Sequence, residues 1–403
     1  MNPSNASSPE NICETSLPKS DLFILPLIGL ITIAACLLAS EVVFRQFFAR
    51  QEIGVCQMAD DRIGYRYRPN CTERLKVAEG PWVTSHYNEC GYRTKESCKR
   101  KPEGTTRLAL IGSSVSEGLF VDDNQTISAQ TADDLTQMLH RPVEVQNLGR
   151  MECLPDCSIN RVDEALALKP DLLMLALMPF DLALWNPSEL YGRSKSLSKP
   201  HVDPSFRDRV QAKIKYDPVV QGTMYYMIQN NPAFVKNRLN LFLREEDSGF
   251  LQSRISPVWD RRFGALDQVL AEIALKSRDA KIPFVLFEVP AMQQVQVARM
   301  QNLPIGVDAD ALNERLKQLA TKNGISYIDT LDGFRSGPGP NDTFYVVNTH
   351  MNGKGYAIVS RILAEKLADK LTEQPGKPKN REHISALTDS AGDERLVAVG
   401  QKR

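Results

Sequence analysis

The sequence carries no excess of charge of either sign and lacks the short motifs that mark several common hydrolases. Lys plus Arg and Asp plus Glu each number 49, so the formal net charge is +0. This balance gives no indication of a partner with a phosphate backbone, and nucleic-acid binding is set aside. There is no G-x-S-x-G elbow, no H-E-x-x-H pair and no C-x-x-C pair. We therefore expect neither a metal nor a cofactor.

One long apolar run stands near the N-terminus. Residues 22–39 read LFILPLIGLITIAACLLA, and Val42, Val43, Phe44, Phe47 and Phe48 extend its apolar character. The run is uncharged and close to the roughly 20 residues that cross a bilayer. The polar residues 1–21 precede it, and no small-residue cleavage site closes it. An uncleaved signal anchor over residues 22–44 is therefore favoured over a cleavable signal peptide, and we expect a single-pass protein of the cell membrane.

The side of the membrane on which the main domain lies is judged from charges and cysteines, which disagree. Lys19 precedes the run and Arg45 and Arg50 follow it, a bias that slightly favours a cytoplasmic domain. After the anchor the cysteines form an even set: Cys56, Cys71, Cys90, Cys98, Cys153 and Cys157. Pairing of neighbours would give three local disulfides, although sequence alone does not fix connectivity, and six reduced cysteines of a cytosolic protein are the alternative. The even count favours an extracytoplasmic domain, as in a bacterial periplasm.

Composition and periodicity divide the chain into several parts. We expect a disordered tail (1–21), the signal anchor (22–44), a cysteine-containing lead-in (45–105), a main domain (106–371) with an insertion (185–259), and a second disordered tail (372–403). In the main domain, short apolar strands alternate with helical patterns. Strands are predicted at 108–111, 143–145, 171–177, 283–289 and 325–328, and helices at 126–139, 159–168, 263–278, 309–323 and 354–371. Continuous apolar strands separated by helices indicate an α/β fold with a parallel sheet covered on both faces. The insertion is either decoration or a lid or substrate groove.

The turn after the first predicted strand is the first candidate for chemistry. Residues 111–118 read IGSSVSEG, and ligands of parallel sheets gather at the carboxyl ends of the strands. A serine at the start of a helix has backbone N–H groups nearby for an oxyanion, although Ser113 or Ser114 could equally be a helix cap. Of the five histidines, only His350 lies on a loop before the last helix, where it can face the same edge. Its alternative role is packing near a turn.

These segments together resemble the SGNH (GDSL-type) hydrolases. GSSVSEG at 112–118 is similar to their first block, G-D-S-x-x-x-G; the second, third and fifth blocks resemble VQNLG at 145–149, PDLLMLALMPFD at 170–181 and HMNGKGY at 350–356. The lead-in, with GYRYRPN at 64–70 and NECGYR at 88–93, resembles the segment that precedes this domain in membrane-anchored bacterial members.

The resemblance implies a three-layer α/β/α, flavodoxin-like domain that hydrolyses or transfers acyl groups, acetyl among them, on esters that include carbohydrates. Ser114 would be the nucleophile and His350 the general base. The N–H groups of Ser114 and Gly149 would bind the oxyanion. We therefore expect a membrane-anchored protein that acts on an acylated carbohydrate or lipid of the cell envelope.

Three positions depart from the family pattern. Ser113 replaces the first-block Asp, and Phe180 replaces the Asn that donates its side chain to the oxyanion, with Asp181 retained beside it. Val347 stands where the family carries the Asp that orients the imidazole, and an apolar side chain cannot accept the ring N–H.

The lost groups have possible substitutes. The ring N–H of His350 could instead donate a hydrogen bond to Asn348, to Asp342 or to a main-chain carbonyl. Asn186 could supply an oxyanion donor. If none does, the alternative is a catalytically impaired protein of the same fold, with a binding or scaffold role.

Overall fold

The computed structural model describes residues 21–47, 54–77, 79–187 and 218–372. Apart from Asp21 and Thr372, the two predicted tails lie outside the described residues, as do residues 188–217 of the insertion. The apolar run forms helix α1, Asp21–Phe47. Within it, Phe23–Val43 has a mean hydropathy of 2.5, which makes α1 the one described helix that is long and apolar enough to cross a membrane.

The lead-in forms two β-hairpins that the sequence pattern did not reveal. Strand β1 (Gln57–Asp60) pairs with β2 (Gly64–Tyr67), and β3 (Thr72–Lys76) pairs with β4 (Trp82–His86), both antiparallel. Disulfides join Cys56 to Cys71, Cys90 to Cys98 and Cys153 to Cys157, which is the neighbour pairing. Short hairpins bury little apolar surface, so cross-links of this kind stabilise such a segment.

The main domain is built on a five-stranded parallel sheet. Its strands are β5 (Thr106–Ile111), β6 (Val143–Asn147), β7 (Leu172–Leu177), β8 (Phe284–Glu288) and β9 (Ser326–Ile328), and their spatial order is β6-β5-β7-β8-β9. Every residue of β5 to β8 is buried, which explains the apolar runs of β7, β8 and the second half of β5, whereas β6 also buries the polar residues Glu144, Gln146 and Asn147. Numbered within this sheet, the order is 2-1-3-4-5, the flavodoxin-like order.

The helices of the main domain cover both faces of the sheet. They are α2 (Ser114–Glu117), α3 (Ile127–Leu139), α4 (Pro155–Ala167), α5 (Pro179–Ala183), α6 (Pro218–Asn230), α7 (Pro232–Phe242), α8 (Pro257–Asp279), α9 (Met292–Ala298), α10 (Ala311–Lys322), α11 (Pro340–Thr343) and α12 (Gly353–Thr372). Helix α3 packs on α12, whereas α4 packs on α8 and α8 on α10. Right-handed crossovers place these two groups on opposite faces. The predicted α/β/α fold class is confirmed, while the proposed domain boundaries stay a prediction.

The described part of the insertion contains helices α6 and α7, followed by a 3-10 helix at Glu246–Leu251. Its aromatic side chains join the main core: Phe250 contacts the rings of Phe180, Phe242 and Trp259, with centroids 5.8 to 6.1 Å apart. Aromatic pairs at such distances stabilise beyond the area that they bury. The insertion is therefore packed onto the domain at the carboxyl end of β7.

Candidate active site

The turn between β5 and α2 holds the candidate nucleophile. Gly112 has φ +153°, and a Cβ there would lie 2.0 Å from Ser116 Oγ and 2.8 Å from the Ala176 carbonyl, so no larger residue fits. Ser113 occupies the N-cap position without a side-chain capping bond, and Ser114 is the first residue of α2. Ser113 is thus the N-cap residue of α2 by position, but neither serine makes a side-chain capping bond.

The loop before α12 carries His350. A bridge between Phe344 and Met351 and two backbone bonds, from Tyr345 N–H to the His350 carbonyl (2.8 Å) and from Thr349 N–H to the Tyr345 carbonyl (2.6 Å), fold residues 344–351 into a tight turn. Thr349 has φ +69°, an uncommon conformation for a non-glycine residue. The turn brings His350 Nε2 to 3.0 Å from Ser114 Oγ, across 236 positions of sequence.

Asn348 lies on the other side of the imidazole. Its Oδ1 is 2.6 Å from His350 Nδ1. With the ring proton on Nδ1 donated to Asn348, Nε2 is left as the acceptor for the Ser114 hydroxyl. Burial lowers the pKa of His350 to about 4, against a contact with Asn348 that raises it. The ring also packs edge-on against Phe120, with centroids 5.4 Å apart. A neutral, oriented imidazole next to a hydroxyl can act as a general base.

The oxyanion side differs from what the resemblance implies. The N–H of Gly149 donates to Asn147 Oδ1 at 2.9 Å, so it is not a free donor in this structure. Gly149 packs so closely on α2 that a Cβ would lie 2.4 Å from Glu117 N. The N–H of Ser114 has no acceptor within α2, because it belongs to the first residue of the helix. Of the two expected backbone donors, Ser114 is therefore the better placed, and the roles of both stay predictions.

The third-block residues have structural contacts. Phe180 packs on Phe242 and Phe250 of the insertion instead of offering a donor. Asp181 is buried and accepts the N–H of Met178 at 2.8 Å, which closes the first turn of α5. Burial raises the pKa of Asp181 to about 7, with the Met178 N–H acting in the opposite direction. The nearby Ser113 hydroxyl also lowers the pKa of Asp181, although the two side chains do not form a hydrogen bond of regular geometry.

Two other candidate substitutes lie at different places. Asp342 does not reach the imidazole: its side chain accepts the N–H of Gly339 at 3.1 Å and caps α11, so the expectation that it could orient His350 is wrong. Asn186 is exposed after α5 and lines the same cleft as Ser114 and His350. Its role as an oxyanion donor stays a prediction.

A buried carboxylate beneath the nucleophile was missed at the level of sequence. Glu117, on α2, accepts the hydroxyls of Tyr67 (2.6 Å) and Tyr87 (3.0 Å) and the N–H of Met151 (2.7 Å). Burial raises its pKa, and the hydrogen bond from Tyr67 is the largest opposing effect. Since both tyrosines belong to the lead-in, this network fixes the lead-in against the helix that begins with Ser114. In the sequence, only the position of Glu117 within the first-block segment at 112–118 indicated that it lies near the site.

Ser114 and His350 open into a large cleft of about 1090 Å³. The lead-in contributes Arg62 and Tyr65 to its wall, and helix α6 of the insertion contributes Met224. A second, mainly apolar cavity of about 440 Å³ shares Met224 and Thr349 with the cleft. The described part of the insertion thus lines the cleft, and its role as a lid or substrate groove stays a prediction.

No protein-family model and no curated protein matches the chain. Matching solved structures include a lipase/acylhydrolase from Enterococcus faecalis, at 12% identity and a TM-score of 0.38 over 66% of this chain and 96% of that one. A variant of an acetyl-xylooligosaccharide esterase from Geobacillus matches at 13% identity and 0.36 (65% and 94% covered), and a GDSL-like lipase from Bacteroides thetaiotaomicron at 15% and 0.33 (66% and 89%).

Proposed function

We propose that the protein is an SGNH-type ester hydrolase or O-acyltransferase that uses Ser114 and His350. The observation that carries this proposal is the continuous hydrogen-bonded series from Ser114 Oγ through the imidazole of His350 to Asn348 Oδ1, with distances of 3.0 and 2.6 Å. The same groups line one wall of an open cleft. A nucleophile, a base and a group that orients the base are the three parts that serine catalysis requires.

The chemistry follows from these positions. Ser114 Oγ attacks the acyl carbonyl while its proton passes to His350 Nε2, and the oxyanion that forms takes a hydrogen bond from Ser114 N–H. His350 then gives its proton to the alkoxide leaving group, which leaves an acyl-serine. Water or a sugar hydroxyl attacks that ester, with His350 again taking and returning the proton. Asn348 Oδ1 accepts a hydrogen bond from His350 Nδ1–H throughout and stabilises the imidazolium that forms between the steps.

We further propose that the substrate is an acyl ester, acetyl in the first instance, of a cell-envelope carbohydrate or lipid. The apolar helix α1 and the three disulfides support a membrane-anchored domain outside the cytoplasm. A cleft of about 1090 Å³ is wide enough for a sugar chain or a lipid headgroup beside the reacting ester.

Labelling of the full-length protein with a fluorophosphonate probe tests the assignment. We expect one covalent adduct, at Ser114, and p-nitrophenyl acetate turnover that Ser114→Ala abolishes. A suitable control is Ser116→Ala, which removes a neighbouring hydroxyl of the same helix. Folded wild-type protein that takes up no probe at Ser114, and turns over the ester no faster than Ser114→Ala does, would refute the proposal.

Two observations favour a second function, a binding or scaffold protein of the same fold. Phe180 fills the position of the side-chain oxyanion donor, and Gly149 N–H is held by Asn147. Loss of one such donor costs about a hundredfold to a thousandfold in rate. If the scaffold alternative is correct, acylated oligosaccharide binds the cleft equally well in wild type and Ser114→Ala, and neither protein reacts with the probe.

A further inference from the structure

We propose that Glu79 is a positioning residue, which holds the loop that carries Asn348 and His350 and so takes over the ordering role of the missing loop carboxylate. This inference rests on the proposed function for its catalytic consequence and on geometry for the contact itself. Glu79 belongs to the lead-in and lies 268 positions before Val347. It belongs to none of the sequence segments that resemble the SGNH blocks.

The contact is a carboxylate that accepts two successive backbone N–H groups. Val347 N lies 3.0 and 2.9 Å from the two carboxylate oxygens of Glu79, and Asn348 N lies 2.9 Å from Oε1. Hydrogen bonds to a charged acceptor are shorter and stronger than neutral ones. The backbone of the two residues that precede Thr349 is thereby fixed to a different segment of the chain.

Asn348 is the residue that transmits this contact to the imidazole. Its backbone N–H is bound by Glu79, and its side-chain Oδ1 accepts from both the backbone N–H of His350 (3.4 Å) and the ring Nδ1 (2.6 Å). Fixing the Asn348 backbone fixes the origin of a side chain with only two torsions. Glu79 therefore sets the direction from which the imidazole is held without touching the imidazole.

Arg238 of the insertion contacts the same loop at Val346, the residue before Val347. Its Nη1 donates to the Val346 carbonyl at 3.0 Å. Burial raises the pKa of Glu79, and the N–H groups of Asn348 and Val347 and the charge of Arg238 oppose that rise. The lead-in and the insertion thus meet at the catalytic loop with charges of opposite sign.

The test compares Glu79→Gln with Glu103→Gln in the full-length protein. Glutamine keeps the size of Glu79 but replaces one carboxylate oxygen with an NH₂ group, which cannot accept an N–H. Glu103 is exposed in the same lead-in, so its variant is the matched control. Hydrogen–deuterium exchange of residues 344–352 reports the contact, and kcat, KM and the rate of fluorophosphonate labelling report its effect on Ser114.

We expect faster exchange at Val347 and Asn348 in Glu79→Gln, with Tm close to that of Glu103→Gln. We also expect kcat and the labelling rate to fall by about tenfold to a hundredfold, the loss that a misplacement of about 1 Å produces. KM should stay within about twofold, because the substrate still binds. Glu79→Asp, which keeps the carboxylate, should recover part of the labelling rate.

Unchanged exchange at these amides overturns the inference, and so does faster exchange with an unchanged labelling rate. If wild-type protein takes up no probe, the proposed function fails instead, and the exchange result alone decides whether Glu79 holds the loop.

Discussion

Replacement of Asn348 by alanine is the sharpest test of how the imidazole is held. The substitution removes Oδ1, which lies 2.6 Å from His350 Nδ1, and leaves the backbone N–H of residue 348 on Glu79. Loss of one partner of a buried hydrogen bond costs about 1 to 3 kcal/mol. If that bond must be intact in the transition state, the rate falls by about fivefold to 150-fold, since about 1.4 kcal/mol corresponds to tenfold. A freely rotating ring would lose more.

The measurement is the second-order rate of fluorophosphonate labelling at Ser114, together with kcat/KM for p-nitrophenyl acetate. Asn341→Ala, an exposed asparagine shortly before the loop, is the control. Asn348→Asp should act in the opposite direction, because a carboxylate next to the ring stabilises the imidazolium and raises the pKa of His350. If Asn348→Ala reacts as fast as wild type while Ser114→Ala does not react, Asn348 does not orient the base.

Three further predictions concern the base and the oxyanion position. Because burial lowers the pKa of His350 to about 4, the imidazole stays neutral below its usual pKa of 6.5, and the acid limb of kcat/KM should lie near pH 4; a limb near pH 6.5 would contradict the burial of the ring. The depressed pKa also means that the unfolded chain binds this proton first, so we expect stability to fall as the pH drops from about 6.5 to about 4, and less so in His350→Gln, as a urea titration would reveal. Phe180→Asn should lower Tm, because it removes a ring that packs on Phe242 and Phe250, and should raise kcat by at most about a thousandfold if the amide reaches the oxyanion; an unchanged kcat with correctly folded protein would show that it does not.

The sheet could be predicted from sequence because burial of a strand on both faces shows directly in the residues of that strand. Strand β7 is buried along its whole length and reads as an uninterrupted apolar run, and the last four residues of β5, Leu108 to Ile111, do the same. The lead-in hairpins escaped prediction for the opposite reason. Strands β1 and β2 have only four residues each and their burial does not alternate, so the sequence carries no period-2 pattern there. Their packing depends on contacts that are remote in sequence, such as the hydrogen bond from the Tyr67 hydroxyl to Glu117.

The candidate site was predictable in part. Ser114 and His350 follow from motifs next to a strand and a helix, whereas the choice among substitutes for the missing Asp depends on the turn at residues 344–351. That turn directs Asn348 at the ring, whereas Asp342 lies before the turn and caps α11. Glu79 and Glu117 act through backbone N–H groups and tyrosine hydroxyls of distant segments. Contacts of this kind leave no pattern in the sequence.

The departure at Phe180 is tied to the insertion. The ring lies 5.9 Å from Phe242 and 5.8 Å from Phe250, both of which belong to the insertion, and all three residues follow or cover the carboxyl end of β7. An asparagine at this position would bring an amide into an aromatic cluster, where an unpaired polar group is costly. The aromatic residue is therefore what an insertion packed at this edge requires. The same packing leaves no place for a side-chain oxyanion donor, so the proposed mechanism depends more heavily on the Ser114 N–H and on the proposed positioning of the imidazole by Asn348 and Glu79.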